Sequence, residues 1–357
     1  MRSLRFLLLA SLGAGACTLV GRGGDEFGTD ERPDAAVSLD RVVRRTIQPR
    51  EIRQHVGFLA SDRMRGRDTP SPELERAASW IAERFAAAGL EPAGDDGGYI
   101  QFLPREPGAP VEGAESPVTS AGRPPAQVPN VVGVVPGSDG ARAGEYVILI
   151  AHFDHVGVGT PNEDGDSIFN GADDNASGTA ALVAIAQAFG VLRGHAARPI
   201  LFLATSGKEK GLLGASWFAA HPTVFLDDAV AVLNLDRIGR SGRDTVGLVG
   251  HDSSSLGPLV VRTAAAADLR FAFDHHRGPG ATLFTRGDHY PFARRGIPAI
   301  AITTALRDDE PGLDDEPSRI DADKVARIAR LVFLAAYELA MGEDAEWTEE
   351  GRRAVQE

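Results

Sequence analysis

The sequence predicts an α/β fold, a three-layer sandwich in which helices flank a mostly parallel central sheet. Two observations predict it. Short apolar segments of four to six residues alternate with helical segments over much of the chain, and continuous apolar strands separated by helices are typical of parallel sheets that are buried on both faces. The chain has 357 residues, of which 43% are hydrophobic, so it can bury a large core.

The first strong helix signal begins after Ser71. From Leu74 to Phe85 apolar residues recur at helical spacing. Ser71 can cap the helix, Pro72 suits its first turn, and Gly89 can end it. A helix is therefore expected in this stretch.

The alternating region follows a segment, 105–129, that is rich in Pro, Gly and Ala and reads as a loop. The expected strands are Asn130–Val135, Val147–Ala151, Ile200–Thr205, Val230–Leu235, Val246–Val249 and Ala299–Thr303. The expected helices between and after them are Ala176–Gly190, Lys210–Ala220, Ser254–Ala267 and Ala322–Met341. Ligands of such sheets bind at the carboxyl ends of the strands, so polar residues at those positions are candidate site residues.

Four regions are expected along the chain: a signal segment over 1–17, a flexible linker over 18–46, a folded domain over 47–342 and a polar tail over 343–357. Arg2 and Arg5 precede the apolar run Phe6–Leu12, which is typical of a secretory signal. The small residues before Cys17 resemble a bacterial lipobox. We expect an exported protein, either a periplasmic or cell-envelope lipoprotein anchored to the membrane through Cys17 alone, or a secreted protein.

The composition argues against a nucleic-acid-binding protein and against structural sites built from cysteines. The formal net charge of −13 argues against a nucleic-acid binder, which normally presents a basic face. Because the chain has a single cysteine, it can form neither an intramolecular disulfide nor a cysteine-based structural zinc site.

The stretch His152-Phe153-Asp154 follows the strand expected at Val147–Ala151. A histidine there can give a nitrogen ligand to zinc, and a carboxylate two residues later can orient its ring. Asp174 lies in a Gly-rich turn that opens the next helix, where a carboxylate can bridge two cations. The alternative is that Asp174 only caps the helix; Asp173 beside it can take that role instead.

Five further motifs follow one another along the chain. They are Leu59–Asp62 with Gly66-Arg67, Asn130–Gly137, Gly207–Gly214, Asn234–Gly239 and Asp288–Ala299. Together with His152–Asp154 they resemble the co-catalytic zinc exopeptidases that include bacterial leucyl aminopeptidase, aminopeptidase Y and glutamate carboxypeptidase II. The resemblance covers residues 51–341 and implies the zinc aminopeptidase-like form of the three-layer fold.

The resemblance also implies a set of site residues. His152 and Asp236 would hold one zinc ion, and Asp174 would bridge to a second. Glu209 would be a terminal ligand of the second zinc. Asp154 would support His152 within the catalytic site. His155 is expected to line the cleft and His289 to shape the pocket rather than to bind metal.

The sequence departs from the family pattern at two positions. Lys208 stands where the family has a general-base glutamate, and an amine whose ordinary pKa is about 10.4 stays protonated, so we expect Lys208 to balance charge rather than to act as the base. Pro311 stands where a histidine completes the second zinc site. That site keeps only Asp174 and Glu209, and one zinc is expected unless a carboxylate of the acidic loop at 308–316 replaces the histidine.

Two functions of different classes follow. The first is a metal-dependent exopeptidase that hydrolyses the N-terminal peptide bonds of peptides. The second is a degenerate, non-hydrolytic member of the family that binds a peptide or an envelope partner with at most one metal. A third, a one-zinc cyclising variant of the fold, is favoured by no particular residue.

Overall fold

The computed structural model describes residues 34–104, 127–266, 269–274, 281–304 and 312–356. The expected signal segment with Cys17, most of the loop at 105–129, and Pro311 lie outside the described residues. Within the described ranges, nine strands form one sheet. These strands are β1 (Glu91–Pro92), β2 (Ile100–Leu103), β3 (Val128–Val135), β4 (Val147–His152), β7 (Ile200–Thr205), β8 (Ala231–Leu235), β9 (Thr245–Val249), β10 (Ala272–Asp274) and β11 (Ala299–Thr303), while β5 (Gly157–Val158) and β6 (Ile168–Phe169) form a separate hairpin.

The sheet has the strand order β1-β3-β7-β4-β8-β11-β9-β10, and β2 also pairs with β3. Its centre is parallel: β7, β4, β8 and β11 run in one direction. The outer pairs β3–β7 and β11–β9 are antiparallel. The prediction of a mostly parallel central sheet is confirmed, and each of the six predicted strands is present within two residues of its expected bounds.

The central strands are apolar throughout because both of their faces are covered. In β4 all six residues are buried, and alternate side chains enter two separate cores. Val147, Leu149 and Ala151 face one helical layer, and Ile148 and Ile150 face the other. This alternation follows from the two-residue side-chain period of a strand.

The described helices are α1 (Asp34–Thr46), α2 (Pro49–Leu59), α3 (Pro72–Ala87), α4 (Gly178–Val191), α5 (Leu213–Ala220), α6 (Leu256–Ala266), α7 (Ala281–Thr285), α8 (Tyr290–Ala293), α9 (Ala322–Met341) and α10 (Glu349–Gln356). Residues of α2, α3, α4, α6 and α9 share one core with the sheet, and residues of α5, α8 and α10 share the other. Helices therefore cover both faces, which confirms the three-layer prediction. In the described part of the chain, no helix combines the length and the apolar character needed to cross a membrane.

The helix expected after Ser71 begins as its sequence indicates. The Ser71 side chain accepts a hydrogen bond from the Leu74 amide at 3.0 Å, and Pro72 occupies the first turn. Helix α9 has the predicted bounds, Ala322–Met341. Its cap is Asp321, whose carboxylate accepts the Lys324 amide at 3.0 Å.

Two predicted region boundaries are wrong. The linker expected over 18–46 ends earlier, because α1 occupies Asp34–Thr46 and Val43 is buried in the core. Leu39, Val42, Val43 and Ile47 follow helical spacing and pack on α4 and α9, which outweighs the polar composition of the surrounding residues.

The polar tail expected over 343–357 also belongs to the fold. The Trp347 ring nitrogen donates to the Gly296 carbonyl at 2.8 Å, and α10 places Val355 in the core of the second face with 7% of its surface exposed. A single apolar face on a short charged helix is a weak sequence signal, because most of its residues remain in solvent.

Candidate metal centre

The site forms where three neighbouring parallel strands end. Strand β4 ends at His152, Asp236 directly follows β8, and Lys208 and Glu209 follow β7. Because β7, β4 and β8 are adjacent and parallel, their carboxyl ends meet at one edge of the sheet. His152 and Asp236, which lie more than 80 positions apart in sequence, are thereby brought together, as their positions at strand ends predict.

A short irregular turn, Ala172–Ser177, carries Asp174 to the same place. Asn175 fixes this turn: its side-chain amide donates to the carbonyls of His152 at 3.2 Å and Leu235 at 2.9 Å. The backbone amides of Asp173 and Asp174 donate to the carboxylate of Asp315 at 2.8–3.0 Å. Asp174 is thus held against the ends of β4 and β8 by polar contacts on both sides.

His152, Asp174 and Asp236, the His152 group, present one ligand atom each within 4.8 Å of one another. The His152 Nε2 atom lies 3.3 Å from Asp174 Oδ1 and 3.5 Å from Asp236 Oδ1. All three atoms are buried and have no hydrogen-bond partner among the described residues. Two ligands of a tetrahedral zinc ion, each about 2.0–2.1 Å from the metal, lie about 3.3–3.4 Å apart. The donors and their spacing therefore fit a zinc ion.

Asp154 supports this group from the other side of the imidazole. Its carboxylate lies 3.5 Å from His152 Nδ1 and accepts the backbone amides of Lys208 at 3.2 Å and Glu209 at 3.3 Å. Burial raises the pKa of Asp154, but His152 and the two amides outweigh burial and lower it. An ionised Asp154 thus orients the histidine and also positions the 208–209 turn, which the sequence did not indicate.

His152 itself is fully buried among carboxylates. Burial and Lys208 lower its pKa, yet Asp154, Asp174 and Asp236 together hold the pKa well above its usual range. The metal-free group therefore keeps a proton on the imidazole. A metal ion must displace this proton, because only the neutral ring is a ligand.

A second group of candidate ligands adjoins the first. His155, Asp174 and Glu209, the His155 group, also bring one ligand atom each within 4.8 Å of one another. Burial is the main cause that lowers the pKa of His155 to about 4, so its ring is neutral at pH 7, as a metal ligand must be. The expectation that His155 lines the cleft is wrong, since the residue is fully buried. A second histidine three residues after His152 is the sequence signal that could have indicated this role.

Lys208 lies between the two groups. Its Nζ donates to Glu209 Oε1 at 3.0 Å and is 3.6 Å from Asp174 Oδ1. Burial lowers its pKa, but the carboxylates of Asp174, Asp236 and Glu209 raise the pKa well above the usual value. Lys208 is thus an ammonium that neutralises carboxylates, and it has no lone pair with which to accept a proton.

In the described part of the acidic loop, 312–316, no carboxylate belongs to either group of candidate metal ligands. The Asp315 carboxylate accepts hydrogen bonds from the backbone amides of Asp173 and Asp174. Asp314 instead pairs with Arg240 at 2.9 Å and with Arg319 at 3.3 Å. Pro311 and residues 308–310 lie outside the described residues, so the expected loss of the family histidine stays a prediction.

Arg67 is a further site residue whose role the sequence did not indicate. It is fully buried and donates to four carbonyl groups at 2.6–2.9 Å. The acceptors are the carbonyls of Leu59, Phe153, Asn170 and Gly171. Two of these carbonyls belong to the segments that carry His152 and Asp174, so Arg67 fixes both segments relative to each other.

Asp288 and His289 are two buried polar residues close to the His152 group. Asp288 accepts a hydrogen bond from the Thr205 hydroxyl at 2.9 Å, and its other oxygen has no partner among the described residues. Burial raises the pKa of Asp288 to about 7, with Asp154 and Asp236 adding to the effect and His152 opposing it. His289 is fully buried beside it and lies edge-on against Phe284, at a ring-centre distance of 4.6 Å. His289 belongs to neither metal group, and its role in shaping the pocket stays a prediction.

The raised pKa of Asp288 predicts a pH-dependent effect of Asp288→Asn. In the folded protein the Asp288 carboxyl keeps its proton up to about pH 7, whereas in the unfolded chain it releases the proton above about pH 4. The wild-type protein therefore loses stability as the pH rises from 4 towards 7, and the variant, whose asparagine does not titrate, does not share this loss. In chelator-treated protein, the melting temperature of Asp288→Asn minus that of wild type should therefore be more positive at pH 8 than at pH 5. The exposed Asp96→Asn is the control, and a difference for Asp288→Asn that does not change with pH would contradict the assignment.

The comparison with known families decides the classification. The sequence model described as "Peptidase family M28" matches residues 130–336, which is more than half of the chain. The chain belongs to peptidase family M28. The predicted kinship with co-catalytic zinc exopeptidases is confirmed, and this M28 protein is a member of a metallopeptidase family whose relatives indicate zinc.

Curated relatives are distant. A "Probable leucine aminopeptidase" of Arthroderma benhamiae is 27% identical over 224 residues, covering 59% of this chain and 58% of the relative. A "Probable zinc metalloprotease" of Pyricularia oryzae is 27% identical over 329 residues, covering 80% and 62%. The "BOS complex subunit NCLN" of Homo sapiens is 28% identical over 211 residues, covering 53% and 36%. The M28 protein thus matches less than two thirds of the length of these relatives.

Solved structures share the fold. The LapA aminopeptidase of Legionella pneumophila is 17% identical with a TM-score of 0.63, covering 87% of this chain and 76% of that chain. The aminopeptidase of Aneurinibacillus sp. strain AM-1 is 14% identical with a TM-score of 0.61, covering 85% and 97%. The glutaminyl cyclase of Porphyromonas gingivalis is 20% identical with a TM-score of 0.60, covering 82% and 98%.

Proposed function

We propose that this M28 protein is a metal-dependent aminopeptidase that works with one zinc ion, held by His152, Asp174 and Asp236. The observation that carries the proposal is the spacing of 3.3 and 3.5 Å between the unpartnered His152 Nε2 atom and the two carboxylate oxygens. A zinc ion held there would polarise a peptide carbonyl and acidify a bound water. The substrate is a peptide with a free N-terminus.

With Lys208 protonated, Glu209 is the carboxylate beside the His152 group that can take a proton. Burial and the neighbouring Asp174 raise the pKa of Glu209, against the opposing charge of Lys208. A carboxyl group whose pKa is shifted towards neutrality is suited to proton transfer. In this proposal Glu209 holds the proton at its carboxylate, and Lys208, 3.0 Å away, balances the charge.

The names of relatives support peptide hydrolysis without establishing it for this chain. Fungal relatives at 27–28% identity are named probable leucine aminopeptidases, and two of the solved structures with this fold are aminopeptidases. We therefore propose N-terminal peptide bonds as the substrate, with leucine as the first residue to be tested.

A second candidate function is peptide or partner binding without hydrolysis. A specific observation favours it: an ammonium, Lys208, lies within 3.6 Å of both Asp174 and Glu209, which crowds the position from which a base would act. The relative NCLN is named as a subunit of a complex rather than as an enzyme. In this case the His152 group would serve as a structural metal site.

Export is also part of the proposal. It rests on Arg2, Arg5, the apolar run Phe6–Leu12 and the small residues before Cys17. A lipidated Cys17 would be the sole membrane attachment, and the alternative is a secreted protein. The mass of the mature amino terminus tests this part, because lipid-modified Cys17 and an unmodified terminus differ in mass.

The decisive experiment combines metal content with hydrolysis. Protein dialysed after zinc loading should retain one zinc per chain and should hydrolyse leucyl-4-nitroanilide, since the His152 group supplies one complete ligand set. Chelation should abolish the activity, and zinc should restore it. One zinc per chain without turnover on any aminoacyl-4-nitroanilide would overturn the enzymatic proposal in favour of the binding function.

The variant Glu209→Gln tests the assigned proton acceptor. Because Glu209 lies outside the His152 group, this variant should keep one zinc per chain while its turnover falls by about a hundredfold or more. The exposed Glu83→Gln is the matched control and should behave as wild type. Loss of zinc from Glu209→Gln would show that Glu209 binds the metal in the wild-type protein instead.

A further inference from the structure

We propose that the exposed side of helices α1 and α2 docks on the anionic headgroups of a phospholipid membrane. This surface, the arginine face, consists of Arg41, Arg44, Arg45, Arg50 and Arg53. The inference rests on the proposed lipid at Cys17, which would attach the protein to a membrane without fixing its orientation. The arginine face would supply the orientation, while the lipid remains the attachment.

The arginine face is basic in a chain that is acidic as a whole. Residues 41–54 contain five arginines and one acidic residue, whereas the whole chain has a formal net charge of −13. On α1 the three arginines are spaced i, i+3 and i+4, and on α2 the two are spaced i and i+3, so each set lies on one side of its helix. All five are exposed. Positive charge is thus concentrated on the first two described helices.

Most of these arginines have no carboxylate partner. Arg44 pairs with Asp40 at 2.7 Å. The other four form no ion pair within the described ranges: Arg41, Arg45, Arg50 and Arg53. Exposed arginines of other elements do pair, as Arg262 does with Glu343 at 2.8 Å. A guanidinium without an internal partner is free to bind a phosphate group, to which its planar donors are well matched.

The apolar sides of α1 and α2 are already used inside the protein. Val43, Ile47, Ile52 and Val56 are at most 2% exposed and belong to the core. A helix that inserts into a bilayer buries its apolar side in the lipid, and these residues are not free to do so. The contact would therefore be electrostatic, at the level of the headgroups, and it should weaken as the salt concentration rises.

The position of the arginine face in the chain favours a membrane over other polyanions. Asp34, the first residue of α1, follows Cys17 by 17 positions. A chain of that length spans at most about 60 Å even when it is fully extended. A lipid at Cys17 would therefore keep the arginine face close to the bilayer.

The acidic remainder of the chain does not cancel this attraction. Charges act across water over a Debye length of about 8 Å at physiological salt. A domain of about 300 residues has a radius of gyration of about 19 Å, so most of its charges lie beyond that distance from a membrane that touches one side. The sign of the surface in contact therefore decides the interaction.

Vesicle binding tests the arginine face. The full-length chain with Cys17→Ser, which cannot carry the lipid, is floated with vesicles of phosphatidylcholine alone or mixed with phosphatidylglycerol. We expect binding to the mixed vesicles at about 0.05 M salt and its loss at about 0.5 M. The readout is the ratio of the affinities for mixed and neutral vesicles, because the apolar run Phe6–Leu12 can bind both. The quadruple variant Arg41→Gln/Arg45→Gln/Arg50→Gln/Arg53→Gln should lower this ratio at least about tenfold.

The matched control removes four arginines whose side chains are 43–73% exposed on other parts of the surface: Arg193→Gln/Arg243→Gln/Arg262→Gln/Arg353→Gln. It changes the net charge by the same amount and should keep the ratio. Lysine at the four positions of the arginine face should also keep most of the ratio, because the charge is retained. The double variant Arg41→Gln/Arg45→Gln serves if the quadruple variant does not fold by circular dichroism.

Equal binding to mixed and neutral vesicles, or an equal loss in the control variant, would overturn the inference. Retention on heparin without binding to vesicles would also overturn it, since the partner would then be a sulfated polysaccharide. Binding to mixed vesicles by a protein whose mature amino terminus carries no lipid would reject the proposed anchor at Cys17 while supporting the arginine face.

Discussion

Replacing His152 by alanine is expected to abolish zinc binding and, with it, hydrolysis, with a loss of at least about a thousandfold in turnover. His152 supplies the nitrogen ligand of its group, and the two remaining carboxylates, Asp174 and Asp236, would lose the ligand that lies 3.3 and 3.5 Å from them. Zinc prefers sites with nitrogen donors over sites with oxygen donors alone. Zinc titration by calorimetry and turnover of leucyl-4-nitroanilide measure both effects.

The exposed histidine His195 provides the control for this experiment, since His195→Ala removes an imidazole from the surface. Retention of a full zinc equivalent by His152→Ala would place the metal elsewhere and would disprove the assignment of the His152 group.

The pH dependence of zinc binding is a second check. The raised pKa of His152 in the metal-free protein means that zinc competes with a proton, so the affinity of wild type for zinc should fall as the pH is lowered.

Replacing Arg67 by methionine is expected to have the largest effect on stability, a loss of about 3–5 kcal/mol in the free energy of unfolding. The guanidinium is fully buried and donates to four carbonyl groups. Burial lowers its pKa to about 10, against the opposing charges of Asp154, Asp315 and Asp174, so Arg67 is charged at pH 7. Methionine fills the volume but leaves the four acceptors and these carboxylates without their partner.

Urea denaturation followed by circular dichroism measures this loss. The exposed Arg53→Met is the control and should change the free energy of unfolding by less than about 0.5 kcal/mol. Arg67→Lys should be nearly as damaging as Arg67→Met, because one ammonium has three donors and cannot reach all four carbonyls. A loss below about 1 kcal/mol in Arg67→Met would show that water replaces the guanidinium.

Most of the fold could be predicted because its central strands are apolar on both faces and its helices keep a regular period. Helix α9 has the bounds that its apolar pattern predicts, since its start at Asp321 and its end near Gly342 carry recognisable caps. The meeting of His152 and Asp236 could also be predicted, because the carboxyl ends of neighbouring parallel strands share an edge. The place of Asp174 was implied by the family resemblance, since a turn rather than a strand end carries it to the site.

The remaining features depend on contacts that the local sequence does not encode. Asp315 accepts the amides of Asp173 and Asp174 from 142 and 141 residues away, and Arg67 reaches the carbonyls of Asn170 and Gly171 across more than 100 residues. Such pairings appear only when the chain has folded, because a lone acidic or basic residue has the same local pattern whether it is exposed or buried. For α1 and α10 the apolar signal was too short to distinguish from that of a disordered segment.

Arg67 lies outside the span 130–336 that defines the family match, yet its side chain holds two loops of the metal centre together. Gly66 beside it sits so close to the Gly157 and Phe169 carbonyls, 2.5 Å from where a Cβ atom would be, that no larger residue fits. The folded unit that builds the metal centre is consequently longer than the span 130–336 that matches the family. A recombinant fragment limited to residues 130–336 would lack Arg67, whose guanidinium holds the segments that carry His152 and Asp174. A fragment made for expression should therefore begin before α2.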